Sequence, residues 1–381
     1  MRSRVVALLL LIAAGCGKPA EPGAEPVALP KVEVQPPAPE DPERAAASYF
    51  GALGTDIRWK GDSITELSFS GDRVGNADLI RLSPLKGVVT VTIDAPGITD
   101  DGLAHLAALP SIEVVILSGR SLSDGALKHL AALPALRTLH LSDTAVTDAG
   151  MSDVAACKKL TLLALKRTKV TDTGLAHLAA APALTELDLT GTATTDAGLK
   201  HLARITTLTK LDLEKTRITG AGLKELTPLT KLETLNLSGT GVTDSGLKEL
   251  AGFVRLTALT LDHTATTDAG LKHLAPLKEL DTLRLDNTEI TDAGVAELKG
   301  MTKLTTLYLS RSAVGDAGVA HLKGLTKLKW LILSGTGTSD TGLKELAGLS
   351  ALQLLSLTGT RVTSAGVEQL QKALPECNIA W

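Results

Sequence analysis

A 24-residue period, running without an insertion from about residue 64 onwards, limits what this chain can fold into more than any other feature. It is marked by apolar pairs: Leu67/Phe69, Val91/Ile93, Val115/Leu117, Leu139/Leu141, and so on in register to Leu355/Leu357, thirteen units in all, with Ile379 opening a truncated fourteenth. Units this short cannot enclose a core alone, so each must bury its apolar face against its neighbours. Growth along one dimension also answers a question of size, since the chain has 381 residues and single compact cores stop growing at roughly 250–300. Hydrophobic residues make up 44% of the chain, yet it has only three Trp, two Tyr and three Phe. The core is therefore expected to be aliphatic and built mainly from Leu.

Two periodicities meet in every unit. In the stretch from Leu184 to Ile205, alternation at Leu187 and Leu189 predicts a short strand, while Leu199, Leu202 and Ile205 predict a short helix or 3₁₀ segment. Between them, Thr195-Asp196 offers a hydroxyl and a carboxylate to the open backbone N–H groups of the helix start. Asp recurs in that phase at 100, 124, 148, 172, 244, 268, 292, 316 and 340. Gly198 and its equivalents, among them Gly150, Gly174, Gly222, Gly270 and Gly342, are expected where a Cβ would intrude between successive turns. A dinucleotide loop would need several glycines close together in one turn before a long helix, and these are spread one to a repeat.

Leu136, Leu139 and Leu141 sit on the pattern Leu-x-x-Leu-x-Leu, and on such residues the stretch 64–381 resembles the leucine-rich-repeat family. The likeness extends to ribonuclease-inhibitor-like and F-box-associated repeats and to bacterial lipoproteins with Thr-Asp-Ala-Gly-Leu repeats. It implies an α/β solenoid, horseshoe-shaped, with a parallel sheet on the concave face and short helices on the convex face. Where the family has Asn or Cys, this chain has Thr at 144, 168, 192, 216, 240, 264, 288, 336 and 360 and Ser312. Their hydroxyls are expected to satisfy backbone groups of the turn. Asp72, Pro96 and Arg120 depart further in the first repeats. Open solenoid ends invite strand pairing and need closure. Residues 45–63, with a helix around Ala45 to Leu53 and a strand from Asp56 to Trp59, are expected to close one end, residues 374–381 the other, with Trp59 and Trp381 as lids.

Ahead of the repeats, Arg2 and Arg4 precede an apolar run from Val5 to Ala14 and then Gly15-Cys16, the layout of a secretory signal. The run is too short to span a bilayer, which takes roughly 20 residues. Ala13-Ala14-Gly15-Cys16 resembles the bacterial lipobox, which implies removal of residues 1–15 and lipidation of Cys16. Gly17 after it implies, by the same resemblance, the outer membrane. Residues 16–44 carry eight of the chain's sixteen prolines, with charges interspersed, and read as an extended tether.

Little in the chain suggests chemistry. The formal charge of -3 leaves no polycationic surface for nucleic acid. His105, His129, His177, His201, His273 and His321 share one phase, which Glu225, Glu249, Glu297 and Glu345 occupy elsewhere. Such a row spreads along the solenoid, whereas a metal needs ligands converging on one point. Cys157 and Cys377 lie about nine repeats apart, some 40 Å at roughly 4.8 Å per strand, too far to bridge. No metal, cofactor or enzymatic activity is expected.

Function is then expected on the concave sheet. Its middle is acidic, with Glu186, Asp188, Asp212, Glu214, Asp262 and Asp286 on neighbouring strands. Further along, Tyr308, Trp330, Ile332 and Leu354 are expected to form an apolar patch beside Arg284, and Trp, Tyr and Arg are the side chains that most often dominate binding energy. The expectation is a monomeric, noncatalytic module that binds a protein partner and meets the membrane only through its lipid. Glycan or peptidoglycan binding by the polar strip is the alternative, and an F-box-like adaptor role is disfavoured by the signal segment.

Overall fold

The computed structural model describes residues 41–381, so the signal segment 1–15, Cys16 and the tether as far as residue 40 lie outside the described residues. The fold starts with a helix at Pro42–Ala52. This is earlier than residue 45, and the reason is local: the Asp41 side chain accepts from the Glu43 N–H at 3.0 Å, and Pro42 occupies the first helical position, where its missing N–H costs nothing. Glu43 ties the helix to the sheet by accepting from the Ile64 N–H at 2.7 Å.

Strands β1 (Asp56–Lys60) and β2 (Ser63–Ser70) form an antiparallel hairpin. The rest of the sheet is parallel and follows chain order: β3 (Thr90–Asp94), β4 (Val114–Leu117), β5 (Thr138–His140), β6 (Leu162–Ala164), β7 (Glu186–Asp188), β8 (Lys210–Asp212) and β9 (Thr234–Asn236). It continues with β10 (Ala258–Thr260), β11 (Thr282–Arg284), β12 (Thr306–Tyr308), β13 (Trp330–Ile332), β14 (Leu354–Ser356) and β15 (Asn378–Ala380). Paired residues in adjacent parallel strands are 24 positions apart throughout, as Leu259↔Leu283 and Leu283↔Leu307 show. Each strand from β2 to β14 is followed by a short α-helical or 3₁₀ turn, so strands line one side of the solenoid and helices the other. The inward Leu of each strand, the Leu two residues on, and the helix Leu residues are buried in one continuous core.

The Thr positions behave as expected. Thr144, Thr168, Thr192, Thr216, Thr240, Thr264, Thr288, Thr336, Thr360 and Ser312 each donate their hydroxyl to the carbonyl three residues earlier, at 2.6–2.8 Å.

The Asp residues do something other than cap their own helices. The Thr hydroxyl caps, with Thr195 Oγ1 accepting from the Ala197 N–H at 3.2 Å. The carboxylate reaches forward to the next repeat instead: Asp172 accepts from the Thr195 N–H at 2.8 Å and from its hydroxyl at 2.6 Å. The bridge recurs from Asp148 to Thr171, Asp244 to Thr267, Asp268 to Thr291 and Asp340 to Thr363. It explains the glycines, because a Cβ on Gly342 would lie 2.6 Å from the Asp316 carboxylate, and one on Gly125 2.6 Å from that of Asp100. The ladder breaks where Gly220 takes the Asp position, and there Thr243 makes no capping bond.

Neither Trp serves as a lid. Trp59 is 41% exposed and Trp381 57%. Phe50 closes the first end, fully buried and edge-on to Phe69 at 5.4 Å, beside Tyr49. At the other end the helix Ser364–Ala373 buries Val367 and Leu370. Cys157 and Cys377 are free, buried thiols, and burial pushes Cys157 up to about 11.

Candidate functional site

Because side chains alternate along a strand and the Leu faces inward, the first and third residues of each three-residue strand project outward. Parallel register aligns those positions into rows. The central row places His140, Ala164, Asp188, Asp212 and Asn236 on consecutive strands β5 to β9. It continues through Thr260 to Arg284, Tyr308, Ile332 and Ser356 on β11 to β14. In the row beside it, Thr306, Trp330 and Leu354 are consecutive.

The register thus brings Tyr308, Trp330, Ile332 and Leu354 together on one face. Trp330 is 47% exposed, while Tyr308, Ile332 and Leu354 are half-buried. Arg284 joins them, its guanidinium 4.4 Å from the Tyr308 ring centroid. It is fixed from the other side by Asp262, whose Oδ2 accepts from Arg284 Nε at 2.8 Å and pairs with its terminal nitrogen at 2.8 Å. The result is a held cation stacked on Tyr308 at the edge of an apolar patch.

The acidic stripe divides in two. Asp262 is only 6% exposed, and besides gripping Arg284 it accepts from the Asp286 N–H at 2.9 Å. Asp286 in turn accepts from the Ser310 N–H at 2.6 Å, and burial raises its carboxyl above the ordinary range. Asp262 is an internal strut and presents little to a ligand, which corrects its placement among contact residues, whereas Asp286 is half-buried and lies 3.9 Å from the Arg284 guanidinium. Glu214 pairs with Lys215 at 2.8 Å, an interaction that lowers its carboxyl. Asp188 and Asp212 stay open to the concave side. Burial raises the carboxyl of Asp212 although the Glu214 N–H and Asn236 Nδ2 both donate to it.

A feature of the same face that residue types alone do not reveal is a hollow of about 310 Å³ between β5 and β9, floored by Leu162 and Ala164 and walled by His140, Asp188, Asp212 and Asn236. The signal for it is Ala164, the smallest side chain in the central row as far as β14. The histidine row lies on the helices, and among the described residues no group of His, Cys, Asp or Glu is arranged to hold a metal ion. No helix among them is long and apolar enough to cross a membrane.

This architecture and the recurrent motif define the class: the protein is a leucine-rich-repeat protein. The family model described as Leucine Rich repeat matches residues 133–155, 204–226, 229–251 and 300–322. Among solved structures the chain is similar to an internalin of Listeria monocytogenes, at 20% identity and a TM-score of 0.55 over 88% of this chain and 94% of that one. It is also similar to a leucine-rich-repeat protein of Leptospira interrogans, at 18% identity and a TM-score of 0.52 over 79% and 92%. At these identities the likeness is one of fold. No curated protein matches the chain in sequence.

Proposed function

We propose that this protein is a noncatalytic recognition module that captures a protein partner on its concave sheet, carried at the bacterial outer membrane by a lipid on Cys16 and held off the surface by the Pro-rich stretch that follows. The observation that carries the reading is the patch of Trp330, Leu354, Tyr308 and Ile332 beside Arg284. In a core almost free of aromatics, a Trp left 47% exposed next to a Tyr under a fixed guanidinium is the composition found at binding hot spots. Contiguous exposed apolar area of this kind marks interfaces. The leucine-rich-repeat scaffold supports a protein-interaction role in general. The signal-like N-terminus and Ala13-Ala14-Gly15-Cys16 support the anchor.

The test places a photo-crosslinking amino acid at Ser356, bordering the patch, and irradiates intact cells. A single protein adduct is expected, lost when Tyr308→Ala and Trp330→Ala are combined, while the melting midpoint changes by no more than about 4 °C. A collapse of stability would show that the pair belongs to the core, and retention on glycan arrays without any protein adduct would favour the carbohydrate reading. Fatty-acid labelling that survives Cys16→Ala would overturn the anchor.

A further inference from the structure

Beyond the apolar patch, the hollow between β5 and β9 has the features of a receptor for one particular side chain. Its floor is apolar, formed by Leu162 and Ala164, the latter 4% exposed. Two carboxylates, Asp188 and Asp212, stand side by side on its wall, paired in register across β7 and β8 and therefore roughly 4.8 Å apart at the backbone. Among the described residues neither forms an ion pair. Lys210, on the rim, is held by Glu186 at 2.9 Å, and Arg167, whose guanidinium feels the charge of Asp188, is bound to Asp143 at 2.5 Å. The contrast with the next part of the sheet is instructive, because there Arg284 neutralises Asp262 within the chain. Asp212 is also partly desolvated, at a cost that a cation supplied from outside would offset.

We propose that this hollow receives a lysine side chain of the protein partner, its aliphatic stem lying over Ala164 and Leu162 and its ammonium placed between Asp188 and Asp212. The proposal rests on the concave-face reading above and assigns that face a second, charge-selective contact. The choice of lysine follows from the acceptors. Asp188 Oδ1 already accepts from the Thr190 N–H at 2.8 Å, and Asp212 accepts from the Glu214 N–H at 2.9 Å on Oδ1 and from Asn236 at 3.0 Å on Oδ2. Neither carboxylate offers two free oxygens to the planar fork of an arginine, whereas a compact ammonium can take one lone pair from each. A hollow of about 310 Å³ leaves room for the four-carbon stem, which prefers apolar contact.

The probe is the peptide acetyl-Gly-Ala-Lys-Ala-Gly-amide, titrated into the full chain carrying methyl-labelled Ala and Leu. Saturable shifts of the Ala164 and Leu162 methyl signals are expected, absent for the norleucine peptide and weaker for the arginine peptide. Asp188→Asn and Asp212→Asn, each checked for an unchanged melting midpoint, should weaken binding of the lysine peptide about tenfold or more, since each removes one charge from a close ion pair. The Tyr308→Ala, Trp330→Ala variant should bind the peptide normally, so the hollow and the apolar patch can fail separately. Equal shifts from the lysine and norleucine peptides, full affinity in both Asn variants, tighter binding of arginine, or no saturable shift would each overturn the assignment.

Discussion

Arg311 has a φ of +55°, in the left-handed region that costs an L-residue roughly 1–2 kcal/mol. The same turn position, immediately before the repeat Thr, is left-handed at Asp143, Arg167, Lys215, His263 and Asn287, and is filled by glycine at 191, 239, 335 and 359. The backbone conformation is therefore imposed by the turn, and side chains are tolerated in it. Arg311→Gly removes the strain but adds freedom to the unfolded chain, so a net gain of about 0.5–1 kcal/mol is expected. Gly335→Ala, one repeat on at φ +70°, should lose about as much. Urea melts of the two variants check the pair, and a destabilised Arg311→Gly would show that its side chain contributes more than its backbone costs. This residue-scale rule is invisible in composition, because Gly, Asp, Asn, Arg, Lys and His alternate at the position with no common chemistry.

Between neighbouring elements, the unit of cohesion is a three-residue device: a carboxylate in one repeat, the Thr or Ser that caps the next helix, and the glycine that leaves room for the carboxylate. Asp100 accepts from the Ser123 N–H at 2.8 Å, and all three atoms that would crowd a Cβ on Gly125 belong to Asp100. Asp100→Ala is expected to cost about 1–3 kcal/mol by leaving the Ser123 N–H without its charged acceptor, and Gly125→Ala a similar amount by overpacking. Made together, they should cost less than the sum by about 1 kcal/mol, since removing the carboxylate empties the space the new methyl needs. Strict additivity in equilibrium unfolding would refute the device. The period, the strand and helix positions and the role of the glycines were legible in the sequence, because burial and turn packing leave their mark at every repeat. The direction of the Asp bond was not. A fixed phase such as Thr195-Asp196 looks the same whether the carboxylate serves its own helix or Thr219 in the next repeat. The burial of Asp262 was equally hidden, since it depends on Arg284 reaching back across one strand.

At the scale of the whole molecule, stability is a sum of nearest-neighbour interfaces, so the consequence of losing one depends on where it lies. The interface from Gly220 to Thr243 already lacks its carboxylate bridge, and only a 3₁₀ turn, Leu223–Leu226, forms beside it. Asp196→Ala would remove the bridge to Thr219, bonds of 2.7 and 2.6 Å, from the interface just before it. Two consecutive interfaces would then be weakened in the middle of the array. Hydrogen exchange is expected to accelerate across residues 219–247 and the urea transition to broaden or divide, as the repeats on either side uncouple. The same substitution at Asp340 removes only the anchor of Thr363 and should loosen the last helix, Ser364–Ala373, while the global transition stays sharp. Acid should imitate that second variant. The Thr363 hydroxyl and N–H hold the Asp340 carboxyl below its ordinary value, so its contribution is present above the unfolded pKa of about 3.9 and is lost as pH falls through the lower folded value. Exchange that rises equally across all repeats in both variants would show that the array unfolds as one unit and that the gap at Gly220 is mechanically silent.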